Sequence, residues 1–162
     1  MISGSAKAAA LAGDDPDVIE LEAQFAYHAG NYDLAASLFR RLADDDTLPP
    51  ENRAKGWCGL GVVDYIMGDM VSSQRERDLL CAKARVKFLP ATRLDNTNPA
   101  AHYHLGKLYR DSYHYPVPAR DEFKKYAYLE KKDEYRLGRV QREIVPELNK
   151  DINDANAAAM GE

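Results

Sequence analysis

Stretches in which small or apolar residues recur every three or four positions alternate along this chain with short polar breaks. No segment shows the two-residue alternation and β-branched enrichment of a strand. Three of these stretches share an order of features. The first, Val18 to Ala43, has Ala23 in its middle, then Gly30-Asn31-Tyr32-Asp33, then Ala35 and Phe39. The second has Trp57, Leu60-Gly61 and Gly68-Asp69, then Ala84, Phe88, Ala91 and Leu94-Asp95-Asn96. The third has Leu105-Gly106 and Tyr109, then Tyr113-His114-Tyr115, Ala119, Phe123 and Leu129. Each reads as two helices joined by a turn, the second carrying an alanine four residues before a phenylalanine. From Asp133 onward, Leu137, Val140, Ile144, Leu148 and Ile152 form one apolar stripe on a helix otherwise made of Arg, Glu, Gln and Lys. The pattern predicts an all-α chain of about seven helices.

The spacing is uneven. Ala23 and Gly61 are 38 residues apart, and Asp44 to Pro50 forms the longer loop. Gly61 and Gly106 are 45 apart, with the extra residues falling between Gly68 and Ala84. Ser73-Gln74-Arg75-Glu76 reads as a capping box, so a helix about two turns longer than usual is expected from Gln74 to Leu94. Its first residues, Gln74 to Asp78, are polar and should project into solvent. Pro90 inside it predicts a kink, and Pro146 a bend in the C-terminal helix. The Ala-rich tail from Asn153 to Glu162 has no stripe and should fray.

Trp57-x-x-Leu60-Gly61 and Leu105-Gly106-x-x-Tyr109 together resemble the tetratricopeptide repeat (TPR). The resemblance implies a TPR-like helical solenoid of three helix-turn-helix repeats over 16–48, 49–98 and 99–132, a capping helix over 133–158 and a flexible N-terminal segment over 1–15. In such a fold a small residue in the first helix lets the second pack against it, and an alanine in the second lets the next repeat approach. Gly61, Gly106, Ala35, Ala84 and Ala119 are those contact points. Repeat one departs from the family at Glu22, which takes a usually apolar place.

Composition narrows the function. Net charge is −4 and mean hydropathy −0.54, without any apolar run long enough for a membrane span, so neither nucleic acid nor membrane insertion is expected. Two cysteines, Cys58 and Cys81, are no disulfide framework and fit a cytoplasmic protein; a leader removed upstream would make it periplasmic instead. His102 and His104, two apart on a helix, point in different directions and cannot share one metal. Neither a phosphate-binding loop nor a nucleophile elbow occurs. No cofactor, no metal and no catalytic residue are therefore expected, and Cys58 paired with a groove histidine as a hydrolase is the weakest alternative.

The resemblance implies a concave groove lined by the first helices of the repeats. It would contain Gln24, Tyr27 and His28 from repeat one, Val62 and Tyr65 from repeat two, and Tyr103, Lys107 and Arg110 from repeat three. Tyrosines make rigid contacts at small entropic cost, so the expected function is a non-enzymatic adaptor or scaffold gripping a protein or peptide partner, as a monomer or weak homo-oligomer. A TPR-type chaperone of bacterial secretion or pilus assembly is the alternative within the class. Gln24 and Val62 stand where family members that clamp Hsp70 or Hsp90 tails use asparagine, so that ligand is disfavoured.

Overall fold

The structure, a computed structural model, describes residues 13–161. The expected N-terminal segment lies outside them up to residue 12, as does Glu162 at the end of the tail. The described residues are all-helical, with seven helices and no strand. Two compact units divide at residues 98 and 99, between the second and third helix pairs.

In the first unit, α1 (Pro16–His28) begins where Asp15 accepts the Asp17 N–H at 2.9 Å and Pro16 presets the first turn. It stops at Gly30, whose φ of 77° only glycine adopts without penalty. There the Gly30 and Asn31 N–H groups donate back to the Tyr27 and Ala26 carbonyls at 3.0 and 2.9 Å. Asn31 then caps α2 (Tyr32–Asp44) by accepting from Leu34 N–H. One short tetrapeptide thus ends one helix and starts the next, which fixes α1 and α2 as an antiparallel pair.

α3 (Pro50–Met70) and α4 (Gln74–Leu94) form a longer pair. The extra residues are shared between the end of α3 and the start of α4, and residues 74–78 are all exposed as their polar composition predicts. Ser73 accepts from Glu76 N–H at 3.4 Å. α4 continues as a helix through Pro90. α3 has no single apolar stripe because it is packed on two sides. A side chain at Gly56 would meet the α2 backbone at Ala43 and Phe39, at Gly59 the Phe39 ring, and at Gly61 the Phe88 ring of α4. Gly56 and Gly59 are close-approach positions that the repeat pattern does not predict. Ile19, Ala23, Ala35, Leu38, Phe39, Leu42, Leu60 and Val63 complete this core.

The connections leaving α2 and α4 are built alike. Asp45 accepts the Thr47 N–H and hydroxyl at 3.0 and 2.6 Å, and Asp95 accepts those of Thr97 at 2.9 and 2.5 Å. Each turn then meets a proline, Pro50 or Pro99, that opens the following helix. The two hydrogen bonds from Thr47 hold the Asp45 carboxyl below its ordinary value.

The second unit holds α5 (Pro99–Lys107), widened at its end into a π-helical segment over Leu108–Ser112, and α6 (Pro116–Leu129). The turn between them places His114 at φ 55° and stacks Tyr113 on Tyr115 at 5.7 Å. A last helix follows as α7 (Glu134–Arg139), a π-helical segment over Val140–Ile144, and α8 (Val145–Gly161). The widened turn ends two residues before Pro146, whose ring would clash with the carbonyl four residues back in a regular helix. The stripe docks as predicted: Val140, Ile144 and Leu148 are buried against Ala119, Phe123 and Tyr126. The tail does not fray within the described residues. It is helical to Gly161, although residues 153–161 are all exposed.

Candidate functional site

On α1, Gln24 is exposed and donates to Glu20 at 3.1 Å, while Glu20 also accepts from Lys55 of α3 at 2.8 Å. Tyr27 is half-buried, edge-on to His28 at 5.3 Å and tilted against Tyr32 at 5.7 Å; His28 itself is exposed. Burial, with the neighbouring Tyr32 and the Asp69 carboxylate, raises the Tyr27 phenol above its ordinary value. Glu20 pairs with Lys55 near the start of α3, and Ala43 and Phe39 of α2 meet Gly56 and Gly59 of α3 in reversed order, so α2 runs opposite to both neighbours and α1 and α3 run in the same general direction. Val62 and Tyr65 are half-buried on α3. The five expected residues of the first unit thus fall on two adjacent, parallel helices.

In the second unit the picture differs. Tyr103 is half-buried on α5, 5.9 Å from the Phe123 ring and 5.1 Å from Tyr126, and the Arg136 guanidinium of α7 lies 4.5 Å from its ring centre. That ring is held on several sides by the chain's own residues. It lines a cleft of about 230 Å³ with Asp133, Tyr135, Arg136, Arg139, Val140 and Ile144. Arg110 is a bidentate partner of Asp111, at 2.6 and 3.2 Å, and stacks 5.6 Å from the Phe123 ring. Lys107 is half-buried.

Two features of this unit escaped the sequence pattern. His102, buried on α5, places Nδ1 2.6 Å from Glu122 Oε2. Burial favours the neutral acid at Glu122, but hydrogen bonds from His102 and Lys125 outweigh it and hold the carboxyl below its usual value. A carboxylate only accepts, so His102 Nδ1 carries the proton. Arg136 over Tyr103 is the second. Neither pair is legible in sequence, because partners twenty or more residues apart obey no short spacing.

Cys58 and Cys81 are free thiols, both buried, and burial together with Glu20 pushes Cys58 up to about 12, which leaves essentially no thiolate near neutral pH. Among the described residues no group of three His, Cys, Asp or Glu side chains could hold a metal, and no helix is long and apolar enough to cross a membrane. The chain matches no protein-family model, no curated protein and no solved structure.

Proposed function

We propose that the chain is a non-enzymatic, TPR-like interaction module that holds a peptide segment against α1 and α3, through Gln24, Tyr27 and His28 on the first helix and Val62 and Tyr65 on the second. The observation that carries this reading is the parallel, side-by-side run of α1 and α3, the relation that successive first helices of stacked helix pairs have. The recurring phenylalanine-on-glycine contact, Phe88 on Gly61 and Phe123 on Gly106, supports the same reading, as do the matching Asp-x-Thr turns. The raised pKa of Cys58 supports a non-enzymatic role. Tyr103 belongs in this reading to the scaffold, since Arg136 and Tyr126 already occupy its ring. Lys107 and Arg110 are left as a separate basic contact on α5.

The test compares folding with capture of a partner from the cells that make the protein. Tyr65→Ala and His28→Ala should melt within a few degrees of the parent and lose the partner, by about 1–2 kcal/mol or more for a central tyrosine. Tyr103→Ala should instead lower the melting temperature by several degrees. Full capture by Tyr65→Ala and His28→Ala would overturn the assignment, and so would their unfolding.

A further inference from the structure

The cleft that Tyr103 of α5 forms with the last helix joins an apolar lining to two guanidinium groups. Val140 and Ile144, both buried, supply the apolar lining together with the Tyr103 ring. Arg136 and Arg139 supply the cations, and Asp133 is the one carboxylate among the lining residues. Three residues apart on one helix, the two arginines stand on one face. All of these residues belong to the second unit, and none is shared with the α1/α3 site.

Both guanidinium groups are positioned without their donors being used up. Arg136 is held over the Tyr103 ring at 4.5 Å, and the one carboxylate its side chain meets among the described residues is Asp133, through Nε at 3.4 Å. Arg139 meets one as well, the exposed Glu143, through Nε at 3.4 Å, and Glu143 stands outside the cleft lining. Each group carries five N–H donors, so most of them face no carboxylate. Ion pairs this long and this exposed to water are weak, and an incoming carboxylate replaces or shares them at small cost. Burial lowers the His104 pKa and Lys107 and Arg136 lower it further, which marks the potential around Arg136 as positive. Nearby, the Tyr126 hydroxyl is buried without a hydrogen-bond partner among the described residues, and its phenol feels the charges of Asp133 and Arg136. The polar groups around the cleft are therefore not spent on one another.

This combination selects a ligand chemistry. A guanidinium fork matches a carboxylate, and Tyr103, Val140 and Ile144 match an apolar body attached to it. A phosphate fits less well, since its second charge would face Asp133 and it has nothing to set against the apolar lining. At about 230 Å³ the cleft is smaller than the roughly 300–1,000 Å³ of sites for drug-sized ligands, which suits a small acid or a single terminal residue. We propose that this cleft binds a carboxylate carried on a small apolar group, with the carboxylate at Arg136 and Arg139 and the apolar group against Tyr103, Val140 and Ile144.

The probe is phenylacetate, titrated into the full chain by isothermal calorimetry beside its neutral amide, phenylacetamide, and beside acetate and inorganic phosphate. Phenylacetate should bind saturably with about millimolar affinity, as expected for so few atoms. Phenylacetamide should bind at least about tenfold more weakly, because it loses the charge-assisted hydrogen bonds. Acetate should be weaker by at least about tenfold too, because it has no body to set against the apolar lining. Arg139→Gln should reproduce the loss for phenylacetate with unchanged circular dichroism, since its ion-pair partner is the exposed Glu143. Glu143→Gln carries the opposite sign: releasing Arg139 should tighten phenylacetate about two- to fivefold, which keeps the proposal refutable should the arginine variant misfold. The tripeptide glycyl-glycyl-phenylalanine, free and amidated, separates the sources of the carboxylate. Binding of the free form alone assigns it to a chain terminus, and exclusion of both forms assigns it to a free acid. Equal binding of phenylacetate and phenylacetamide, no saturable binding of phenylacetate, phosphate binding as tightly as phenylacetate, or weaker binding by Glu143→Gln would each overturn the proposal.

Discussion

The ring of Phe88 occupies the space that a side chain at Gly61 would need: a Cβ there would stand 2.5 Å from the ring's Cε1. Both residues are buried, Gly61 near the centre of α3 and Phe88 about one turn past the centre of α4, so the contact sets how closely α3 and α4 approach. Gly106 and Phe123 repeat it in the second unit at 3.0 Å.

This relationship orders a glycine series. Alanine raises helix propensity by about 0.5–1 kcal/mol wherever space allows. At Gly68, where the nearest atom to an added Cβ is Leu80 Cβ at 3.6 Å, alanine should raise the melting temperature. At Gly61 overpacking outweighs propensity, and alanine should cost about 1–3 kcal/mol. Gly106→Ala should fall between the two, and Gly106→Leu should cost on the order of 2–4 kcal/mol. Chemical denaturation of the four variants checks the order, and a stabilised Gly61→Ala would refute the Phe88 contact.

Tyr126 is fully buried, and its hydroxyl has no hydrogen-bond partner among the described residues. Burial, reinforced by Glu130, pushes its phenol up to about 12. An unsatisfied buried hydroxyl costs about 1–3 kcal/mol, so Tyr126→Phe should leave stability unchanged or raise it by about 1 kcal/mol. A loss larger than that in urea titration would show that the hydroxyl is satisfied in solution.

The acid limb of stability should carry the signature of His104. Burial, with Lys107 and Arg136 nearby, lowers its pKa from 6.5 to about 3. Above 6.5 both folded and unfolded chains are neutral there and stability is complete. As pH falls below 6.5 the unfolded chain binds a proton that the folded chain refuses, so stability is lost progressively toward pH 3. Glu122, also depressed, contributes stability that is lost only below its ordinary value of 4.5. His104→Gln should therefore flatten the melting-temperature profile between pH 6.5 and 4.5 and leave the lower part of the limb in place. An unchanged slope in that window would show that His104 is solvated.

Much of the helical plan was legible because it depends on local chemistry. Ser73 with Glu76 marks the start of α4, Gly30 and Asn31 mark the α1–α2 turn, and Val140, Ile144 and Leu148 mark the buried stripe of the last helix. α4 stays helical through Pro90, where Cys81, Ala84, Phe88 and Ala91 hold it against its neighbour. The tail departs from the expectation, since alanine needs no packed face to favour a helix.

By itself the sequence determined where α2 and α4 begin, that Gly61 and Gly106 lie where helices cross, and that Tyr27, Tyr65 and Tyr103 sit on helices. Those properties arise from caps, periodicity and residue size within a few positions of one another. Tertiary structure alone decided that Arg136 covers Tyr103, that Glu122 takes the proton-bearing side of His102, that Gly56 and Gly59 admit α2, and that Leu79 and Val86 remain uncovered. Each of these depends on side chains brought together across long stretches of chain, or left unpartnered by the packing, and no local rule encodes such distances.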